Sequence, residues 1–205
     1  FKKFFRGNIL ELGSGSSKLS AMISRKNEVK SVTCVEFSET MLTKIAPRVF
    51  MNFKGDLSKA FFVVSDMHEI KNFADKKYDT IIFHASLHHV FLPYNFINNI
   101  KKNILKKNGT IIGLSEPCLP SIPLPSKHIR KWILNQKRHQ FVGNNENIYY
   151  VNQYKDFFTR FLDFKFTFVG VNHLGGIKGA LSNSLISRKV FHYPLSINFK
   201  AELKS

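Results

Sequence analysis

Short apolar runs alternate along this chain with amphipathic stretches, and glycine, serine or proline separates them. Residues 8–12 (NILEL) form the first run; Gly13 ends it, which fits a buried strand. Ser16 is placed to cap a helix with Leu19, Met22 and Ile23 on its apolar face. Residues 31–37 (SVTCVEF) are β-branched and apolar, a second strand. Ser38 then opens a helix with Met41, Leu42 and Ile45 inward, and Pro47 limits it. Residues 60–66 and 78–86 read as the third and fourth strands. Pro93 suits the first turn of a helix whose apolar positions are Phe96, Ile97, Ile100 and Ile104. Lys106, Lys107, Asn108 and Gly109 make its C-terminal stop, and residues 110–117 form a fifth strand. Strands alternating with helices across short links predict a parallel, doubly wound α/β sheet.

The pattern then changes. Residues 118–126 hold Pro120, Pro123 and Pro125, which excludes a central strand or a helix. A helix is expected around Trp132 over 128–137, a loop over 141–150 and a helix over 151–161. Two strands, 164–171 and 185–193, close the chain, and no internal repeat is visible.

Composition narrows the class. With 205 residues, 43% of them hydrophobic, the chain can bury one full core, so a single domain over 1–205 is expected. No apolar run approaches the roughly 20 residues of a membrane span. The chain opens at Phe1 with almost no lead-in to its first strand, which implies a preceding N-terminal segment. FKKFFR lacks the apolar stretch of a signal peptide. Cys34 and Cys118 form no CxxC pair, so neither a disulfide framework nor a zinc site is expected, and a reducing, cytoplasmic setting fits. No His, Cys and Asp cluster has metal-ligand spacing. The net charge of +17 raises nucleic acid as a partner. The lysines are scattered, however, and the densest pairs (76–77, 101–102, 106–107) fall at expected helix ends and turns. That distribution favours biased residue usage over a binding stripe.

Candidate chemistry starts at NILELGSGSSK, residues 8–18. Gly13 and Gly15 allow tight turning and close backbone approach to a ligand. Lys18 stands where a dinucleotide loop has its third glycine, and no phosphate-binding P-loop is present. Glu36, at the end of the second strand, can hold a ribose through its hydroxyls. These features fit a nucleoside-containing cofactor without naming it.

ILELGSG, CVEFSETML, VVSDMHEI, YDTIIFHASLHHV and ILKKNGTIIGLSEP follow one another in order. Together, over residues 8–117, they resemble the class I S-adenosylmethionine-dependent methyltransferases. ENIYYVNQYKDFF is similar, more weakly, to the segment after strand five in the subgroup acting on small molecules. The resemblance implies a Rossmann-like, seven-stranded sheet with one antiparallel strand near the C-terminus, and an insert or lid over 118–150. It also implies site roles. Glu11, Gly13 and Gly15 would wrap the methionine part and ribose of S-adenosylmethionine, with Ser17 as a mild departure from a third small residue. Glu36 would take the ribose hydroxyls, and Phe37 would flank the adenine. Asp66 would accept from the adenine amino group with Met67 beside the ring, and Phe83 and His84 would line the methionine end. A sulfonium carries no phosphate, so Lys18 obstructs nothing.

His88 and His89 end the fourth-strand segment and are the candidate catalytic bases, because a neutral imidazole can take a proton as a methyl group arrives. Glu116 and Tyr149 are candidates for touching the acceptor, and Tyr150 and Trp132 for roofing it. The acceptor is expected to be a small molecule, sugar-derived or lipid-linked, methylated on oxygen or nitrogen. The D/N-P-P-Y/F signature of base N-methylation is absent. An RNA methyltransferase and a non-catalytic binding module are the alternatives.

Overall fold

A computed structural model describes residues 4–119, 147, 149–160, 162–171 and 195–203. In chain order the elements are β1 (Gly7–Leu12), α1 (Lys18–Ser24), β2 (Val29–Glu36), α2 (Ala46–Asn52), β3 (Ala60–Val64), β4 (Tyr78–His84) and α3 (Pro93–Asn103). β5 (Leu105–Leu119), β6 (Tyr149–Tyr150), α4 (Val151–Thr159), β7 (Phe164–Val171) and β8 (Leu195–Leu203) follow. One sheet runs β3-β2-β1-β4-β5-β8-β7, and the two-residue β6 pairs with β5 beside that path. β1 to β5 are mutually parallel, and β8 lies antiparallel between β5 and β7. The expected Rossmann-like sheet with one antiparallel C-terminal strand is therefore present. The strand order reverses between β1 and β4, and in such sheets a crevice opens beyond the carboxyl ends at that point.

Alternation along the strands builds two cores. Leu10, Leu12, Val35, Ile81, Phe83 and Ile111 meet Ile97 and Ile100 of α3 and Tyr154 and Phe158 of α4 on one face. Ile9, Val32, Cys34, Ile82 and Ile112 meet Ala21, Leu42 and Phe50 on the other. Because both faces are covered, the central strands are apolar throughout rather than alternating. On that second face Glu11 stands between Ile9 and the turn at Gly13, in register with Cys34 of β2 and Ile82 of β4.

Several local expectations change. α1 is preceded by Ser17, at φ 57°, rather than capped by Ser16, and Ser17 makes no side-chain cap bond. The buried positions of α1 are Ser20, Ala21, Ile23 and Ser24, while Met22 is exposed. Small serines suit this face because Ser20 bonds Glu11 and Ser24 bonds Ala21 O and the Asp56 N–H. Pro47 does not end its helix. A wide π-type turn at Met41–Ile45 feeds α2, which carries Pro47 in its first turn, where a missing N–H costs nothing. α3 ends at Asn103, so Lys106 to Gly109 open β5 instead of closing the helix. Lys106 there holds both oxygens of Asp79, at 2.9 and 2.8 Å. Tyr149 and Tyr150, expected in a loop, pair in parallel with Cys118 and Leu119. α4 and β7 form as expected. β8 is a strand that the pattern missed. The expected helix at 128–137, the strand at 185–193 and most of the insert at 118–150 lie outside the described residues.

Candidate functional site

The turn after β1 is held by backbone bonds. The N–H groups of Gly13 and Ser14 both donate to Val35 O at 2.9 Å, and Ser17 N–H donates to Ser14 O at 2.8 Å. The two glycines serve different needs. At Gly13, φ is +70° and a Cβ would stand 2.7 Å from Ser86 Cβ, so the turn is packed shut. At Gly15, φ is +51° and a Cβ would meet nothing within 4 Å, so the turn faces open space. Ser17 is fully buried in the same left-handed conformation, with its hydroxyl 3.1 Å from Ser14 Oγ. It thus fills the small-residue position at the helix entry. Lys18 is exposed and lies over the Phe53 ring at 4.9 Å.

Glu36 closes the loop from β2. Its Oε2 accepts the Gly15 N–H at 2.9 Å and its Oε1 accepts the Ser38 N–H at 3.1 Å. The carboxylate is buried, and among the described residues no cation pairs with it. Phe37 follows, just beyond the end of β2, with its side chain 76% exposed.

Asp66 lies just beyond β3. Its Oδ1 accepts the His68 N–H at 2.8 Å and stands 2.7 Å from His68 Nδ1. Partial burial would raise its pKa, but the bonds from His68 outweigh that and hold it below the usual carboxylate value. Its Oδ2 has no hydrogen-bond partner among the described residues. Met67 leans over the Gly13 turn, its Cε 3.2 Å from where a Cβ would stand.

Glu11 differs from its expected place. Its side chain is buried toward α1, where its Oε2 accepts both the hydroxyl and, at 3.2 Å, the N–H of Ser20. Burial, opposed by Ser20 and reinforced by Glu36, pushes its pKa up to about 7. Burial, with Glu11 adding to it, also pushes the neighbouring Cys34 thiol up to about 12. Glu11 anchors α1 beneath the loop. Phe83 likewise turns its ring into the helix layer, 6.2 Å from Phe96, leaving its backbone at the strand end. His84 is exposed at the end of β4, its pKa lowered by desolvation against an opposing pull from Glu116.

Glu116 is fully buried and organises the turn after β4. Its Oε1 accepts from Ser86 N at 2.9 Å and Leu87 N at 3.0 Å. Its Oε2 accepts from His88 N at 3.3 Å and lies 3.0 Å from His88 Nδ1. These bonds place Glu116 beneath the turn. His88 is buried and half-stacked on His89, with ring centroids 4.0 Å apart. Asn147 locks the same turn, donating from N and Nδ2 to His88 O at 3.1 and 3.0 Å. Tyr149 reaches Val90 O at 3.5 Å, and burial pushes its hydroxyl up to about 12. Tyr149 thus abuts the turn that carries both histidines.

The structure thus brings Gly13, Gly15, Glu36, Phe37, Asp66 and Met67 to the carboxyl edge of the sheet, with His84, His88, His89 and Tyr149 beside them. Three contributors escaped the sequence reading. Ser86 donates to Leu12 O at 2.6 Å beneath Gly13, Asn147 holds the histidine turn, and His68 braces Asp66. The Asp-x-His spacing at 66–68 was the one available signal, since it favours a local side-chain-to-backbone turn. A cavity of about 940 Å³ at the opposite edge of the sheet, away from the glycine loop, is lined by charges of both signs: Arg6, Lys30, Lys106 and Lys107 with Glu28, Asp79 and Glu202. Among the described residues no His, Cys, Asp and Glu cluster could hold a metal, and no helix is long and apolar enough to cross a membrane.

A doubly wound sheet with a glycine turn after β1, an acid ending β2, an acid after β3 and a reversed β8 defines the class I methyltransferase architecture. The methyltransferase-domain family matches residues 10–113, and the chain belongs to that family. No curated protein matches the chain. Among solved structures it is similar to the YcgJ protein of Bacillus subtilis, with TM-score 0.68 and 12% identity over 98% of this chain and 93% of that one. A Listeria monocytogenes protein assigned as an S-adenosylmethionine-dependent methyltransferase gives TM-score 0.63 and 15% identity, covering 98% and 93%. The plantazolicin methyltransferase BpumL, solved with a triazolic desmethylplantazolicin analogue and S-adenosylhomocysteine, gives 0.58 and 16%, covering 97% and 77%. These likenesses establish the fold.

Proposed function

We propose that this methyltransferase uses S-adenosylmethionine to methylate an oxygen or nitrogen of a small-molecule acceptor. The observation that carries the reading is Glu36, a buried carboxylate without a cation partner among the described residues, bonded to Gly15 beside open space. These residues fit that cofactor. Glu36 keeps lone pairs for ribose hydroxyls, Asp66 Oδ2 can accept from an adenine amino group, and Phe37 offers an exposed apolar face. Gly15 leaves room for the cofactor at the turn. When bound, the cofactor supplies an electrophilic methyl group on a sulfonium. A cleft of uncompensated carboxylates suits that positive charge.

The remaining chemistry belongs to the chain. Bonds from the Ser86 turn fix the floor, and Glu116 sets the orientation of His88. His88 or His89 takes the acceptor proton, and packing around Tyr149 keeps water out. Positioning supplies most of the rate in such a reaction. BpumL, whose structure holds an analogue of a desmethylated natural product, supports a small acceptor.

Calorimetric titration with S-adenosylmethionine tests the cofactor, and absence of saturable binding by folded protein rejects it. Labelled cofactor incubated with cell extract, including sugar-derived and lipid-linked fractions, identifies the acceptor. Label arriving only in RNA would reject the small-molecule reading.

A further inference from the structure

One side chain, His68, joins the loop after β3 to the segment after β4. Nδ1 lies 2.7 Å from Asp66 Oδ1, and Nε2 lies 3.2 Å from the Phe91 nitrogen. A backbone N–H can only donate, so Nε2 must present a lone pair to Phe91. Nδ1 then carries the ring proton and donates it to Asp66. The two contacts therefore fix one neutral tautomer and one ring orientation. Asp66 Oδ1 also accepts the His68 N–H at 2.8 Å, so the bracket is closed on the Asp66 side. The rings of Phe96 and Phe91 flank the imidazole at 5.2 and 6.0 Å.

The two ends of this bracket serve different parts of the site. Asp66 leaves Oδ2 without a partner among the described residues and faces solvent. The 86–91 segment carries Ser86, packed against Gly13, and His88, held by Glu116. We infer that His68 is a positioning residue that couples Asp66 to the 86–91 segment. This rests on the reading of the cleft as the cofactor site. The coupling follows from the tautomer. While Asp66 accepts the Nδ1 proton, Nε2 is an acceptor and Phe91 is held. When Asp66 is removed, nothing commits the proton to Nδ1, and the hold on Phe91 weakens although Asp66 and Phe91 do not touch. Cofactor contact with Asp66 thereby orders the segment that carries His88.

The test has a part that needs no cofactor. Amide hydrogen exchange at Phe91, read by NMR, is compared in wild type, Asp66→Ala, His68→Asn and His68→Gln, each checked for a cooperative thermal transition. Asn keeps a donor near Nδ1 but loses the acceptor for Phe91; Gln places an oxygen near Nε2 but loses the donor to Asp66. Exchange at Phe91 is expected to rise about tenfold in both Asp66→Ala and His68→Asn, and less in His68→Gln. Wild-type exchange in Asp66→Ala would overturn the coupling, as would equal exchange in the two His68 variants. If Asp66→Ala does not fold, the His68 pair alone decides.

S-adenosylmethionine is then added. Wild type is expected to gain protection across 86–91. His68→Asn should bind within about threefold of wild type without that gain, and His68→Gln should bind about tenfold more weakly. Full protection in His68→Asn would overturn the coupling. A wild type that fails to bind would overturn the cofactor reading, while the exchange comparison without cofactor would still judge the link between Asp66 and Phe91.

Discussion

The Gly15 N–H donates to Glu36 Oε2 at 2.9 Å, a bond that spans 21 positions of sequence and ties the first strand's turn to the end of the second. The same carboxylate accepts Ser38 N–H, so a single side chain sets the spacing of two loops. Glu36→Ala removes both supports together with the proposed ribose acceptor. Calorimetry should show S-adenosylmethionine affinity weakened by about tenfold or more. Glu36→Gln retains an acceptor and should lose less; equal losses would separate charge from geometry as the cause.

Gly13 and Gly15 predict opposite variant behaviour. Alanine at Gly13 meets Ser86 Cβ at 2.7 Å in a left-handed conformation, and urea unfolding should show a loss of about 3 kcal/mol. Alanine at Gly15 pays only the conformational term, about 1 kcal/mol, because its Cβ enters empty space. The added methyl would stand in the proposed cofactor space, so affinity should fall while stability is nearly kept. A Gly15→Ala variant of unchanged affinity would move the cofactor elsewhere.

Much of this arrangement was legible because the central sheet is covered on both faces. Short, β-branched runs such as TCVE and TIIFH, bounded by turn residues, read as buried strands, and their ends place Glu36 and His84 at the carboxyl edge. β8 was less visible. Its Ile197, Phe199 and Ala201 face the core, but Asn198 is also buried because it accepts the Ser115 N–H, so the alternation is blurred. The direction of a side chain was the other gap. Glu11 fits a ligand role by motif, yet it points at Ser20 because its neighbours Ile9 and Cys34 face α1. Glu116 read as a contact for the acceptor; only the fold brings Ser86, Leu87 and His88 onto it from about 30 residues away.

Glu116 should be worth more to stability than to binding. It is fully buried and accepts from Ser86 N, Leu87 N, His88 N and the His88 ring. Glu116→Ala leaves those donors without an acceptor in the core, a loss of about 3 kcal/mol or more by urea unfolding. Glu116→Gln keeps one acceptor oxygen and should recover part of it. Wild-type stability in the alanine variant would show that water replaces the carboxylate and that Glu116 does not order the histidine turn.

Glu11 makes stability fall as pH rises. Burial, against the Ser20 bonds and with Glu36 nearby, lifts its pKa from 4.5 to about 7. The folded state therefore holds this proton more tightly than the unfolded chain does. The stabilisation is complete below pH 4.5, declines as the unfolded chain ionises, and is gone once pH passes about 7. The shift corresponds to about 3 kcal/mol across that window. Glu11→Gln keeps an acceptor for Ser20 but cannot ionise, so its stability curve should lack this component. Urea unfolding from pH 4.5 to 8 should show the wild type losing about 3 kcal/mol relative to the variant. Parallel curves would mean that Glu11 is ionised throughout, with Ser20 compensating its burial. In that case Glu11→Gln should instead be less stable than wild type by a constant amount at every pH.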